Sequence, residues 1–297
     1  MSDFVQQCGT VCEFTGSDSW VILSPIELSI KRKIEAVGTP LKDWDVNIYR
    51  GVLTGCNEAF IISTEKRNEI LSNCKDDDER TRTEALIRPI LRGRDIKRYS
   101  YEWANLWLIA TFPSRHYDIE KYPAVKAHLE SYYGGNGRKV LEQTGTTHII
   151  NGEKVKSRKK TNNKWFETQD SINYWEDFSQ PKIVWGNLNL NPSFALVNND
   201  FYINAPSPMI VPASYYLLGI LNSKVADYYI RKLGVTRNGG YFEYKPMFVE
   251  KLPVPKQSTI INTIENAVIH NEEMEINRLI YLLYGFSSEE ISFIENQ

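Results

Sequence analysis

The spacing of apolar residues predicts helices near both ends of the chain. Ser24 supplies an N-cap ahead of Pro25, and isoleucines then recur at every fourth position until Gly38. Residues 258–297 carry helical spacing with almost no strand signal, which predicts two or three helices, the last of them capped by Ser287. The ends of the chain are therefore expected to be helical.

Two further helices are predicted inside the chain. The first covers residues 122–133 and stops at Gly134, and the second covers residues 212–233 and stops at Gly234. Residues 76–79 are four consecutive acids, and this pattern predicts a solvated loop.

Short extended runs alternate with turn residues elsewhere. They predict strands near 46–53, 59–62 and 105–111, and a second, mixed sheet from 182–186, 193–197 and 201–204. Asn151-Gly152 separates two short extended runs, which is typical of a hairpin over residues 148–155. The combination predicts an α+β (mixed α/β) fold with mixed sheets and flanking helices.

Charge is distributed unevenly along the chain, so the net value of -2 is a poor guide to partners. Residues 257–297 hold seven of the 37 acidic residues but a single basic one, Arg278. The remaining body is mildly basic. With no apolar run long enough for a membrane span and no signal-peptide pattern at the N-terminus, the sequence predicts a cytoplasmic protein without a membrane partner. The cysteine and histidine positions favour reduced thiols and no metal site.

A first cationic run follows a glycine-broken apolar segment that contains Arg50, Gly51 and Gly55. The run is expected to begin helical and to turn at Pro89 and Gly93, and it holds Arg88, Arg92, Arg94, Lys97 and Arg98. A solvated loop with local ion pairs is one interpretation. Arginine also suits bidentate contacts with phosphate or guanine, which favours a nucleic-acid site.

A second cationic run follows the predicted hairpin and includes Lys156, Arg158, Lys159 and Lys160. A mobile arm of this kind neutralises phosphates, although a plain exposed loop has the same composition. Phosphates carry no base information, so this run is expected to position a nucleic acid and not to read its sequence.

Isolated polar residues mark two further segments. Lys182 and Asn187 interrupt an apolar, aromatic stretch, and asparagine is able to make a bidentate contact with adenine. Arg237, Asn238 and Tyr241 flank a flexible glycine pair and are candidates to reach a groove of DNA, although a turn entering a strand is an equally economical interpretation.

The order of these segments resembles a known family. Residues 48–62 and 86–99 resemble the TaqI-like C-terminal specificity domain of type IIG restriction-modification enzymes and adenine-specific DNA methyltransferases. Residues 216–224, 239–245 and 248–255 are similar to the closing half of target recognition domains, including those of type I specificity subunits. The resemblance runs from about residue 20 to residue 295.

This resemblance implies a target recognition domain over residues 20–256, preceded by a linker remnant at 1–19 and followed by a helical spacer at 257–297. It implies double-stranded DNA as a partner. The implied DNA-binding residues are the candidates above: Arg50, Arg88, Arg92, Arg94, Lys97, Arg98, Lys156, Arg158, Lys159, Lys160, Lys182, Asn187, Arg237, Asn238 and Tyr241.

The sequence lacks the motifs that DNA methylation and DNA cleavage require. There is no F-x-G-x-G for S-adenosylmethionine, no N-P-P-Y or D-P-P-Y for a flipped adenine, and no convincing nuclease pattern. We therefore expect no catalytic residue and no cofactor in this chain, with S-adenosylmethionine bound by an N-terminal methyltransferase domain or subunit. A subunit-docking module and an RNA-binding module of a methyltransferase are the alternatives.

Overall fold

The computed structural model describes residues 23–198, 200–234 and 236–297. The predicted linker at 1–19 lies outside them. Contacts divide the chain into two compact units. A terminal unit combines Met1–Asp45, Tyr215–Thr236 and Met247–Gln297, and a central unit combines Val46–Ser214 and Arg237–Pro246. Both units are discontinuous in sequence, unlike the predicted domain ranges 20–256 and 257–297, which stay a prediction.

The described residues contain helices and strands in a mixed order, which confirms the α+β class. The helices are α1 (Pro25–Val37), α2 (Asn57–Phe60), α3 (Thr64–Ser72), α4 (Asp77–Leu86), α5 (Pro123–Gly135), α6 (Gly137–Leu141), α7 (Tyr215–Leu221), α8 (Lys224–Leu233), α9 (Pro246–Val249), α10 (Ile261–Ile269), α11 (Glu273–Tyr284) and α12 (Ser288–Glu295). The strands are β1 (Thr39–Pro40), β2 (Asn47–Arg50), β3 (Ile61–Ser63), β4 (Ile87–Leu91), β5 (Ile96–Lys97), β6 (Ser100–Tyr101), β7 (Leu106–Ile109), β8 (Thr147–Ile150), β9 (Glu153–Lys156), β10 (Lys182–Trp185), β11 (Leu188–Asn189), β12 (Phe194–Val197), β13 (Tyr202–Ile203), β14 (Pro208–Val211), β15 (Phe242–Glu243) and β16 (Pro253–Val254).

Two helices of the terminal unit begin with reciprocal side-chain caps. Ser24 and Glu27 form a reciprocal capping box at the start of α1, and Ser287 and Glu290 form another at the start of α12, which confirms both predicted helix starts. Helices α10 to α12 confirm the helical end of the chain. The predicted helix over 212–233 is two helices, because the Ser223 side chain caps α8 and interrupts the run.

Two four-stranded sheets form the central unit. One has the order β12-β10-β14-β2 and is antiparallel throughout; the other has the order β13-β4-β7-β3, with β13 parallel to β4. The predicted mixed sheet over 182–204 is therefore wrong in one part. Strands 182–185 and 194–197 do pair, but 202–203 joins the other sheet.

The predicted hairpin is confirmed. β8 and β9 pair antiparallel, and Asn151 and Gly152 both take left-handed backbone angles, with φ of 50° and 85°. Two positive φ values in a two-residue loop match the twist of the paired strands. Helix α5 also follows its prediction, although its last turn departs from helical geometry from Tyr132.

The start of the first cationic run is a strand and not a helix. β4 pairs with β7 on one side and with β13 on the other, and it buries Ile87, Ile90 and Leu91. Because proline disfavours the helical region for the preceding residue, Pro89 holds Arg88 in extended backbone.

The acidic cluster at 76–79 also differs from its prediction. Asp76 caps α4 by accepting a hydrogen bond from the Glu79 N–H at 2.7 Å, and acids in the first turn favour the helix dipole. Glu79 is fully buried, and its carboxylate accepts hydrogen bonds from the N–H groups of Lys75 at 3.0 Å and Ala124 at 2.8 Å. This carboxylate connects the starts of α4 and α5.

Replacing Glu79 with glutamine is expected to lower the free energy of unfolding by about 1–3 kcal/mol, because one of the two N–H groups that donate to this buried carboxylate then faces an amide donor. Glu84→Gln, at an exposed position of the same helix, is the matched control and should change it by less than about 0.5 kcal/mol. Urea unfolding of both variants measures the difference. Equal stabilities would contradict the role given to Glu79.

Candidate nucleic-acid interface

Three turns of the central unit lie against one another. The first follows β4 and centres on Gly93, where an added Cβ would lie 2.8 Å from Ser207 Oγ and 3.6 Å from Gly186 Cα. The second is the turn that begins at Gly186. A Cβ at Gly93 would crowd the Ser207 hydroxyl and would be in van der Waals contact with Gly186, so the first and second turns lie close together.

The third turn is paired with the second. β11 and β15 form a short antiparallel ladder, and the Tyr244 N–H donates to Asn187 O at 2.9 Å. The Arg237 N–H closes its own loop by donating to Tyr241 O at 2.7 Å. We call residues 92–98, 186–190 and 237–243 together the reading surface.

Exposed polar and aromatic side chains occupy the reading surface. Arg94, Lys97 and Asn238 are exposed, and Tyr241 keeps 40% of its area open. No carboxylate of the described residues pairs with Arg94, so its guanidinium is available to a ligand. Asn187 is half-buried, and its Oδ1 accepts no hydrogen bond from the described chain.

Two arginines of this surface, Arg92 and Arg237, are held by carboxylates. Arg92 donates twice to Asp95, at 2.9 Å and 2.7 Å, and this pairing raises the pKa of Arg92. The Glu243 carboxylate accepts hydrogen bonds from Lys245 Nζ at 2.7 Å and from Arg237 Nε at 2.6 Å. These two hydrogen bonds lower the pKa of Glu243. Arg92 is thereby fixed in position, and Arg94 becomes the stronger candidate for a base contact. Arg98 is half-buried beside the ring of Tyr99.

Two predicted site residues are held by carboxylates outside this surface. Arg50 pairs with Asp170, and its carbonyl accepts a hydrogen bond from the Tyr174 hydroxyl at 2.6 Å. Arg88 lies at the start of β4 and pairs with Asp200 at 2.9 Å. Arg88 and Arg92 are four positions apart along extended backbone, which amounts to roughly 13 Å.

The second cationic run is not a mobile arm at its centre. Lys156, Lys159 and Lys160 are exposed, but Arg158 keeps only 5% of its area open. Its guanidinium donates to four backbone carbonyls, those of Thr54, Leu141, Trp165 and Glu167, at 2.7–2.8 Å. Burial lowers the pKa of Arg158 to about 10. The prediction that Arg158 contacts phosphate is therefore wrong, since all these donors are used internally.

Lys182 is also buried, against its predicted place at a DNA surface. Its ammonium donates to Phe178 O at 2.6 Å and to Gln180 O at 3.2 Å, and no part of the residue is exposed. Burial lowers the pKa of Lys182 to about 8. No sequence signal separates Arg158 from its exposed neighbours Lys156 and Lys159, whereas the apolar stretch around Lys182 is a signal of burial.

Replacing Arg158 with methionine should lower the free energy of unfolding by about 3 kcal/mol, because buried carbonyls lose their donors. Lys159→Met, one residue further at an exposed position, is the matched control and should cost less than about 0.5 kcal/mol. Urea unfolding gives both values. A loss of similar size in the two variants would contradict the internal role of Arg158.

The lowered pKa of Lys182 gives a dependence of stability on pH. Above the folded-state pKa of about 8 the unfolded chain binds more protons than the folded one, so stability rises with pH toward 10.5. Relative to Lys182→Met, the wild type should gain about 2 kcal/mol between pH 8 and pH 10. Urea unfolding at the two pH values measures this gain. A constant difference would show that Lys182 titrates normally.

Two other kinds of site are absent from the described ranges. No helix within them is long and apolar enough to cross a bilayer. The same ranges contain no cluster of three or more histidine, cysteine, aspartate or glutamate residues placed to hold a metal ion.

Comparison with known families gives a match over more than half of the chain. Residues 88–254 match the TaqI-like C-terminal specificity domain. The chain is also 19% identical over 286 residues to the type II methyltransferase M.PaeR7I of Pseudomonas aeruginosa. That alignment covers 93% of this chain and 45% of the relative, so the chain spans less than half of its length.

Solved structures show a similar fold. The structure of the type IIL restriction-modification enzyme MmeI in complex with DNA aligns with a TM-score of 0.55 at 11% identity. The alignment covers 87% of this chain and 36% of the MmeI chain. The type IIG restriction endonuclease BpuSI aligns with a TM-score of 0.52 at 13% identity, over 91% and 31%.

Proposed function

Because the chain belongs to the family of TaqI-like C-terminal specificity domains, we propose that it recognises a short sequence in double-stranded DNA. The observation that carries the proposal is the convergence of three turns on the reading surface, with Arg94, Asn187 and Asn238 among their side chains. Arginine and asparagine form bidentate contacts with guanine and adenine.

The proposal divides the work between two groups of residues. Arg94, helped by Asn187, Asn238 and Tyr241, reads base edges, and Arg237 is held beside these residues by Glu243. The exposed side chains of Lys156, Lys159 and Lys160 neutralise phosphates and set the position of the duplex. The segment that carries these lysines is anchored by Arg158, so the charges stand on an ordered support and not on a free arm.

We further propose that this chain serves an adenine-specific DNA methyltransferase of a restriction-modification system. M.PaeR7I is a methyltransferase, and MmeI and BpuSI are restriction enzymes, so relatives with methylation and with cleavage both support such a role. The proposed partner is a methyltransferase domain or subunit that binds S-adenosylmethionine and receives the target adenine. Recognition and chemistry would then lie on separate folded parts.

Affinity for duplex DNA is expected to fall steeply with salt. If about five cations, among them Arg94, Lys97 and the three lysines, contact phosphate or replace its counterions, log K should fall against log salt with a slope of roughly -4 to -5. Fluorescence anisotropy with a labelled duplex at several salt concentrations measures the slope. An affinity that does not change with salt concentration would contradict the proposed binding of duplex DNA.

Substitutions of Arg94 and substitutions of the three lysines are expected to change DNA binding in different ways. Arg94→Ala and Arg94→Lys should both change discrimination between sites by about 1–3 kcal/mol, because both remove the guanidinium that makes two hydrogen bonds to a base. Lysine keeps the positive charge but cannot make this bidentate contact. Glutamine at Lys156, Lys159 and Lys160 should weaken binding to all sequences alike and flatten the salt slope, whereas arginine at the same positions should not.

Methylation in the full methyltransferase, mapped across a genome, reports these preferences directly. If Arg94→Lys methylates the same sites as the wild type with the same relative preference, Arg94 is a phosphate contact and the assignment of base reading is wrong.

A further inference from the structure

A polar cavity lies at the start of β4, at the other end of this strand from the Gly93 turn. It encloses about 160 Å³. Its wall includes Arg88, Arg115, Tyr117, Trp175, Ser179 and Tyr202. All of these residues belong to the central unit, and sequence patterns single out Arg88 alone among them.

Two guanidinium groups border this cavity. Arg115 lies with its guanidinium carbon 3.7 Å from the centre of the Trp175 ring, and no carboxylate of the described chain forms an ion pair with it. Arg88 lies 6.0 Å from the centre of the Tyr202 ring and pairs on one side with Asp200. The Nε of Arg88 is buried and has no acceptor within the described residues. Arg115 also forms a hydrogen bond with the Tyr117 hydroxyl, so the cationic donor that the described residues leave unsatisfied in this wall is the Nε of Arg88.

Hydroxyl groups complete the wall. Burial raises the pKa of Tyr202 to about 12 and also raises the pKa of Tyr117, while the positive charges of both arginines oppose these shifts. The two phenols are thus protonated at neutral pH and able to donate hydrogen bonds. The hydroxyl of Ser179 is a further donor on the wall.

We propose that this cavity is a binding site for one phosphoryl group. Guanidinium forks and hydroxyl donors around a small volume suit a tetrahedral oxyanion, and arginine is the side chain best matched to its geometry. A volume of about 160 Å³ corresponds to roughly five water molecules, which accommodates a phosphate but not a whole nucleotide. A free phosphate and a phosphate of a DNA strand present the same chemistry.

Calorimetry with the full chain tests the site without DNA. Sodium phosphate is titrated into the wild type against sodium chloride at equal ionic strength. We expect saturable binding at one site, weakened about tenfold by Arg115→Gln and several-fold by Tyr117→Phe, because each removes donors to a charged acceptor. The matched control is Arg138→Gln, since Arg138 also lies over a tryptophan ring, 5.1 Å from Trp165, but outside the cavity.

A second arm measures affinity for duplex DNA with the same variants, each shown to be folded by its thermal transition. If Arg115→Gln loses phosphate but binds DNA as Arg138→Gln does, the site takes a free phosphorylated molecule. If it also loses DNA affinity relative to Arg138→Gln, a DNA phosphate occupies the cavity.

Two results would overturn the site. One is phosphate binding no stronger than chloride binding, together with equal DNA affinities of Arg115→Gln and Arg138→Gln. The other is undiminished phosphate binding by both Arg115→Gln and Tyr117→Phe. A wild type that binds phosphate but no DNA would contradict the proposed function and leave this site intact.

Discussion

The close approach of backbone to backbone along residues 203–207 is the constraint on which the central unit depends. The N–H groups of Gly51 and Val52 donate to Ser207 O and Ile203 O at 2.8 Å and 2.6 Å, and Asn204 N–H donates to Leu91 O at 2.8 Å. A Cβ at Gly51 would lie 2.4 Å from Ile203 O. The segment thus joins the ends of β2 and β4, and any side chain at Gly51 would separate them. The Gly93 turn lies against Ser207 of the same segment, so the reading surface inherits its shape from this contact.

Local signals in the sequence predicted those elements whose cause is local. The capped helix α1, the Asn151-Gly152 hairpin and the Ser287 cap each depend on a few neighbouring residues, and the structure confirms all three. Acids at 76–79 look like a loop by composition, yet Asp76 caps a helix and Glu79 is buried because Ala124, far along the chain, donates to it. Such a contact leaves no trace in a short window of sequence.

The basic residues also show that a short window of sequence does not always reveal which side chains are buried. The cationic runs at 88–98 and 156–160 are visible in the sequence, but burial decides which of their side chains are available to a ligand. Arg158 and Lys182 donate to internal carbonyls, while Arg94 remains open to a partner. The cavity at Arg115 was not predictable, since Arg88, Arg115, Trp175 and Tyr202 meet only after β4 and β13 pair.

Photochemical crosslinking to a pool of duplexes that carry 5-iododeoxyuridine tests the central claim most directly, because adducts identify the residues that contact bases. The account predicts adducts within 92–98, 186–190 and 237–243 of the full chain, with few in the lysine segment 156–160. Adducts confined to the lysine segment or to the terminal unit, with none in the three turns, would contradict base reading by this surface.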